Sequence, residues 1–172
     1  MRSHQFPMGL ADLRPGDAAK VRDGNALLSF VVGVLLLCAR LVLPASLENP
    51  RSSRVWLTPP WQSVARLRCC RSFVTDFCMW GKPWRKSTIF AAVHLNLEAA
   101  FEGKRCLGAR RGLCARTGQP HICLSGFDRE AKAWRTKIAE PYPGGLCKAL
   151  AKSFEDRRLE LRYGAFARLA LH

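Results

Sequence analysis

The chain has 172 residues, 48% of them hydrophobic and five of them tryptophan, which is enough apolar material for one folded domain and excludes an intrinsically disordered polypeptide. Its 28 Lys and Arg against 13 Asp and Glu give a formal charge of +15, so the expected partners are polyanionic: nucleic acid first, an anionic membrane face second. The eight cysteines are scattered and make no dense disulfide framework, so they are read as reduced or buried thiols of an intracellular, candidate nuclear, protein.

Residues 1–24 are rich in Pro, Gly and Asp and predict an irregular segment with turns and candidate helix caps at Asp12, Asp17 and Asp23. From Asn25 to about Arg40 the run ALLSFVVGVLLLCA predicts an apolar helix buried on both sides. Its 14 residues, Ala26 to Ala39, fall short of the ~20 that a membrane span needs, and basic residues flank both ends. No cleavage pattern of a secretory signal follows. A membrane anchor through residues 26–45 stays as the minority alternative.

LVLPASLE then reads as a short buried strand stopping at Glu48 or Asn49. A helix starts near Pro59 or Pro60, because proline suits a first turn, and ends close to Cys70. RSFVTDFCMW and STIFAAVHL read as two strands in a hairpin-like pair around Gly81 and Pro83. Residues 103–120 are rich in Gly, Arg and Cys and predict a loop, HICLSG an extended stretch or short strand, and the segment from Gly144 a helix with Leu146, Leu150 and Phe154 on one face. A helix feeding a buried strand, then helix and strands, predicts an α/β fold: part of a doubly wound, Rossmann-like sheet over residues 25–152, followed by a basic helical tail over 153–172.

Four stretches carry a resemblance: ENPRSSRVW (48–56), FCMWGKPWRKST (77–88), RCLGARRGLCARTGQPHICLSG (105–126) and AEPYPGGLCKAL (139–150). In this order they resemble the second half of a cytosine-5 DNA methyltransferase domain, more closely its divergent forms in phage and retrotransposon polyproteins. The resemblance implies a base-recognising acid at Glu48, contacting N3 of a flipped cytosine, with Asn49 and Pro50 shaping its loop. It implies that Arg85 steadies the base or a phosphate by bidentate hydrogen bonding. The Gly-rich loop for S-adenosylmethionine and the cysteine nucleophile loop of that family are not found. The expectation is therefore the C-terminal part of a methyltransferase-like domain, truncated or degenerate and derived from a mobile element. It would have no autonomous catalysis and no cofactor of its own, and would use S-adenosylmethionine only if a missing N-terminal half or a polyprotein neighbour supplied the site.

Read without the resemblance, Glu48-Asn49-Pro50 is a strand-ending turn, and Arg85 with Lys86 a solvated basic turn. TPPWQ (58–62) looks like an amino-methyltransferase loop, but Thr58 stands where an Asp or Asn would grip the amine; a helix start with a packed Trp61 fits better. A non-catalytic nucleic-acid-binding module is the competing expectation, with Arg51, Arg54, Lys82, Lys86, Arg110 and Arg111 meeting phosphates and an exposed Trp80 or Trp84 stacking on bases. A zinc site is a further candidate at Cys106, Cys114, His121 and Cys123, spaced C-x7-C-x6-H-x-C, with His94 as the alternative fourth ligand. Cys78, in the strand segment, reads as a buried thiol.

Overall fold

The computed structural model of the chain describes residues 1–108 and 112–169, with side chains described as far as residue 163. It is a mixed α/β structure with a three-stranded sheet in the middle and helices on both sides.

Helix α1 spans Pro15–Arg40, beginning about ten residues before the apolar run. Pro15 needs no N–H partner in a first turn, and Asp17 and Arg40 carry the charges that the two helix ends favour. Residues 15–24 are thus helical rather than irregular, and the N-cap position, Arg14, has no side-chain cap. Only one side of α1 is buried, through Val21, Leu28, Val32 and Leu35. On the other side Leu27 and Phe30 are 64% and 68% exposed, so the expected burial on both sides does not occur. At 26 residues, with a mean hydropathy of 1.7 over its apolar window, α1 is long and apolar enough to cross a membrane by length and composition.

The sheet consists of β1 (Ala45–Pro50), β2 (Cys70–Asp76) and β3 (Ser87–Val93) in the order β1-β3-β2. Both pairings are antiparallel, with Glu48 opposite Phe90 and Thr75 opposite Thr88. The β2–β3 hairpin follows the sequence expectation, and β1 and β2 point the same way without touching, because β3 returns between them. Pro50 is tolerated because β1 lies at an edge, where a missing N–H breaks no ladder. Between β1 and β2, α2 (Pro59–Ala65) buries Trp61 and Val64, and Trp56 meets the Trp61 ring edge-on at 5.0 Å. The TPPWQ stretch is a helix start with a packed tryptophan.

Strand alternation divides the apolar side chains between two layers. Leu47, Ala91 and Val93 pack with Leu28, Val32 and Leu35 of α1 and Trp61 and Val64 of α2. On the opposite face Phe73, Phe90 and Ala92 meet Leu97, Phe101 and Leu146, with Leu150 and Phe154 beside them. Phe101 closes the short α3 (Glu98–Phe101); Leu146, Leu150 and Phe154 lie on α5 (Gly144–Leu169), as the helical spacing predicts. Between them run β4 (Phe127–Asp128), β5 (Ala133–Trp134) and α4 (Arg135–Ile138), and HICLSG forms no strand.

Candidate metal centre and the rim of the sheet

Beyond the end of β2 the chain makes a 3-10 turn, Phe77–Trp80, that buries Cys78 completely. The loop after α3 brings Cys106 and Cys114 to the same place, and His121 follows. The sulfurs of Cys78, Cys106 and Cys114 and a ring nitrogen of His121 all lie within 4.8 Å of one another. Three sulfurs and one imidazole nitrogen are the donor set of a closed tetrahedral site. The Cys106 Sγ to His121 Nε2 separation is 3.6 Å, close to the ~3.6 Å that a sulfur and a nitrogen ligand span across a tetrahedral zinc.

The surroundings fix these donors. His121 Nδ1 donates to the Gly112 carbonyl at 3.0 Å, which leaves the Nε2 lone pair toward the sulfurs. Cys106 Sγ accepts the Ala115 N–H at 3.2 Å. The Gly118 N–H bonds the Cys114 carbonyl at 2.8 Å, closing the turn behind that residue. Arg116 Nε reaches the Cys78 carbonyl at 2.8 Å and ties the loop to the 3-10 turn. Gly108 is required where it stands, since a Cβ there would lie 2.7 Å from the Leu113 carbonyl oxygen and 2.8 Å from the Ala115 nitrogen.

Electrostatically the thiols diverge. Burial, then the neighbouring thiols of Cys106 and Cys114, push Cys78 far above the usual thiol range. For Cys114 burial opposes ionisation, but backbone N–H groups of Arg116 and Thr117 and the Thr117 hydroxyl pull the thiol down to about 6. A buried group of three thiols and an imidazole has no cation of its own, and a divalent metal is the species that allows all three thiols to ionise together. These residues can hold a metal ion.

Three of the four expected ligands, Cys106, Cys114 and His121, are brought together. Cys123 is not among them: it is exposed, and its Sγ lies 2.9 Å from Ser125 Oγ. His94 is also elsewhere, with Nε2 donating to the Ala39 carbonyl at 2.9 Å. Cys78 takes the fourth place, so the buried-thiol expectation for it was correct about burial and incomplete about its company.

At the rim of the sheet the Glu48 carboxylate is held by two hydroxyls. Tyr142 donates to Oε2 at 2.8 Å, and Thr88 Oγ1 contacts Oε1 and lies 2.8 Å from the Asn49 carbonyl oxygen. Burial first, then the Glu48 hydrogen bond and charge, raise the Tyr142 phenol above its ordinary value. Lys86 Nζ sits 4.9 Å over the Phe77 ring and 5.9 Å over that of Tyr142, a packed cation rather than a freely solvated one.

Arg85 is more constrained than a free basic turn. Its Nε donates to Asp76 Oδ1 at 3.2 Å, and the other oxygen of that buried carboxylate accepts the Cys106 N–H at 2.7 Å. Asp76 is the functional-looking residue that sequence reasoning passed over, although a lone acid inside the apolar stretch SFVTDFCMW was the available signal. Of the other basic positions, Arg51 is exposed, Arg54 half-buried, and Lys82 lies 5.5 Å over the Trp84 ring. Arg110 and Arg111 lie outside the described residues. Trp80 and Trp84 are half-buried rather than exposed: Trp80 Nε1 donates to Thr75 Oγ1 at 2.6 Å and its ring meets Phe101 edge-on. No family model, curated protein or solved structure matches the chain.

Proposed function

We propose that the chain is the C-terminal part of a methyltransferase-like domain, derived from a mobile element, that recognises nucleic acid without catalysing methyl transfer by itself. The observation that carries this is the convergence at one rim of three separate stretches of the resemblance. Glu48 comes from ENP, Thr88 from WRKST and Tyr142 from EPYP, and the latter two hydroxyls meet on the Glu48 carboxylate. A carboxylate held at a strand end is suited to a hydrogen bond with a base edge. The strand arrangement supports the same reading: β1 and β2 point the same way through a crossover that contains α2, and β3 lies reversed between them.

In this proposal zinc is a structural ion held by Cys78, Cys106, Cys114 and His121. It shapes the described parts of the basic loop, residues 104–108 and 112–122, and takes no part in a reaction. The protein acts inside the cell, in the nucleus, and S-adenosylmethionine chemistry would require a partner half or polyprotein neighbour. Oligonucleotide binding followed by fluorescence anisotropy tests the nucleic-acid reading, using one duplex with an extrahelical cytosine and one with an abasic site there. Tighter binding of the cytosine duplex, lost in Glu48→Ala, is expected; equal binding of both duplexes removes base recognition. Calorimetry should show no S-adenosylmethionine binding, and a micromolar affinity would overturn the truncated-domain proposal.

The outward apolar face of α1 favours a second reading, in which that helix anchors the protein to a membrane. Its inner face belongs to the sheet core, so spanning a bilayer would strip Leu28, Val32 and Leu35 from their partners. Flotation with anionic vesicles decides between the two: an anchored protein rises with them at high salt.

A further inference from the structure

On the face of the sheet away from the Glu48 side chain, the ends of β1 and β3 frame an open depression lined by Arg51, Ser52, Arg85 and Ser87. Ser87 and Thr88 are adjacent in β3 and point to opposite faces, so the sheet separates this depression from the Tyr142–Glu48 contact. We propose that these four residues form a phosphate subsite for a backbone phosphodiester of nucleic acid; it rests on the nucleic-acid part of the proposed function and adds the anchoring point.

Several features converge on that ligand. Ser87 Oγ is buried and has no hydrogen-bond partner among the described residues, an expensive state for a hydroxyl unless a ligand completes it. The Arg51 N–H is fixed on the Ser87 carbonyl at 3.0 Å, so the two strand ends are tied and the Arg51 side chain starts from a defined position. Arg85 is aimed by Asp76, which takes its Nε and leaves the two terminal nitrogens, the pair suited to phosphate oxygens, without a hydrogen bond among the described residues. Two guanidinium charges less the Asp76 carboxylate leave a net charge of one. That balances a singly charged phosphodiester better than the dianion of free phosphate. The mouth is open, as a passing strand needs, and the excess of basic residues steers polyanions toward the protein.

The test is anisotropy of a labelled single-stranded deoxyoligonucleotide on the full chain over a series of salt concentrations. Arg51→Gln, Ser87→Asp and, as a control, Arg22→Gln on the exposed surface of α1 are compared with the unchanged protein, each checked for folding by circular dichroism. Arg51→Gln should weaken binding about tenfold and lower the salt slope by about one. Ser87→Asp should weaken it more, and Arg22→Gln should leave it unchanged. Adenosine monophosphate and inorganic phosphate should compete only weakly. The subsite is overturned if Arg51→Gln and Ser87→Asp both bind as the unchanged protein does, or if inorganic phosphate displaces the oligonucleotide at equal or lower concentration. An unchanged protein that binds no oligonucleotide sinks the nucleic-acid reading itself, whereas silent variants beside normal binding sink the subsite alone.

Discussion

The sheet with its helices and the loop region after α3 are held together by different physics. In the first, Phe90, Phe101, Leu97 and Leu146 on one face and Leu28, Trp61, Val64 and Val93 on the other are removed from water, and non-directional burial does the work. In the second, the described residues between 102 and 143 contain one four-residue helix and two two-residue strands, and most of their side chains are exposed. There the shape comes from discrete polar links: Asp76 to Cys106, Arg116 to Cys78, His121 to Gly112, and the Cys and His donor group. A region built by burial degrades gradually when one contact is lost. A region built on a few directional links and one donor group fails at a single point, and removing a metal held by that group should open the region while the sheet stays folded.

The largest effect should come from the sheet side. Phe90→Ala empties the middle of the central strand and should cost about 3–5 kcal/mol in denaturant unfolding, taking the loop with it; a loss confined to the loop would break the distinction. Next, Cys78→Ser should reduce bound zinc from near one per chain to well below it. Limited proteolysis should then cut within residues 104–122 while the far-ultraviolet spectrum of the sheet and helices persists, and full metal retention would return the fourth ligand to open question. Smaller again is the rim. The folded Tyr142 pKa is raised above its unfolded value, so its contact with Glu48 contributes fully below pH ~10 and is lost as pH rises through the folded value. The difference in phenolate absorbance between the unchanged protein and Tyr142→Phe should titrate above pH 10, and Glu48→Gln should bring it down. Finally, Cys123→Ser should leave zinc content unchanged, since that thiol lies outside the donor group.

What could be read from sequence follows the same division. Runs such as STIFAAVHL and the proline-led TPPWQ announce strands and helices because burial and backbone restriction are local in the chain. The sequence hides the start of α1 because Gly16, Asp17 and Gly24 are weak helix formers, and the packing of Val21 overrides them. Cys106, Cys114 and His121 were legible as a cluster because they lie close together in sequence. Cys78 was not, because it enters from the end of β2, nearly thirty residues earlier, and only the tertiary path brings it there. Spacing favoured Cys123, two residues from His121, but Ile122 donates its N–H to the Pro83 carbonyl at 2.9 Å as the chain leaves the group, and Cys123 ends at the surface.

Asp76 joins the two kinds of region, with one oxygen on the Arg85 guanidinium and the other on the N–H of Cys106. A rigid carboxylate shared in this way is a thermodynamic coupler, and coupling between two binding events is reciprocal. If the proposed zinc raises the proposed oligonucleotide affinity by steadying Arg85, the oligonucleotide must raise zinc affinity by the same factor. Saturating DNA should therefore slow the loss of zinc to a chelator, and Asp76→Asn should weaken that mutual protection.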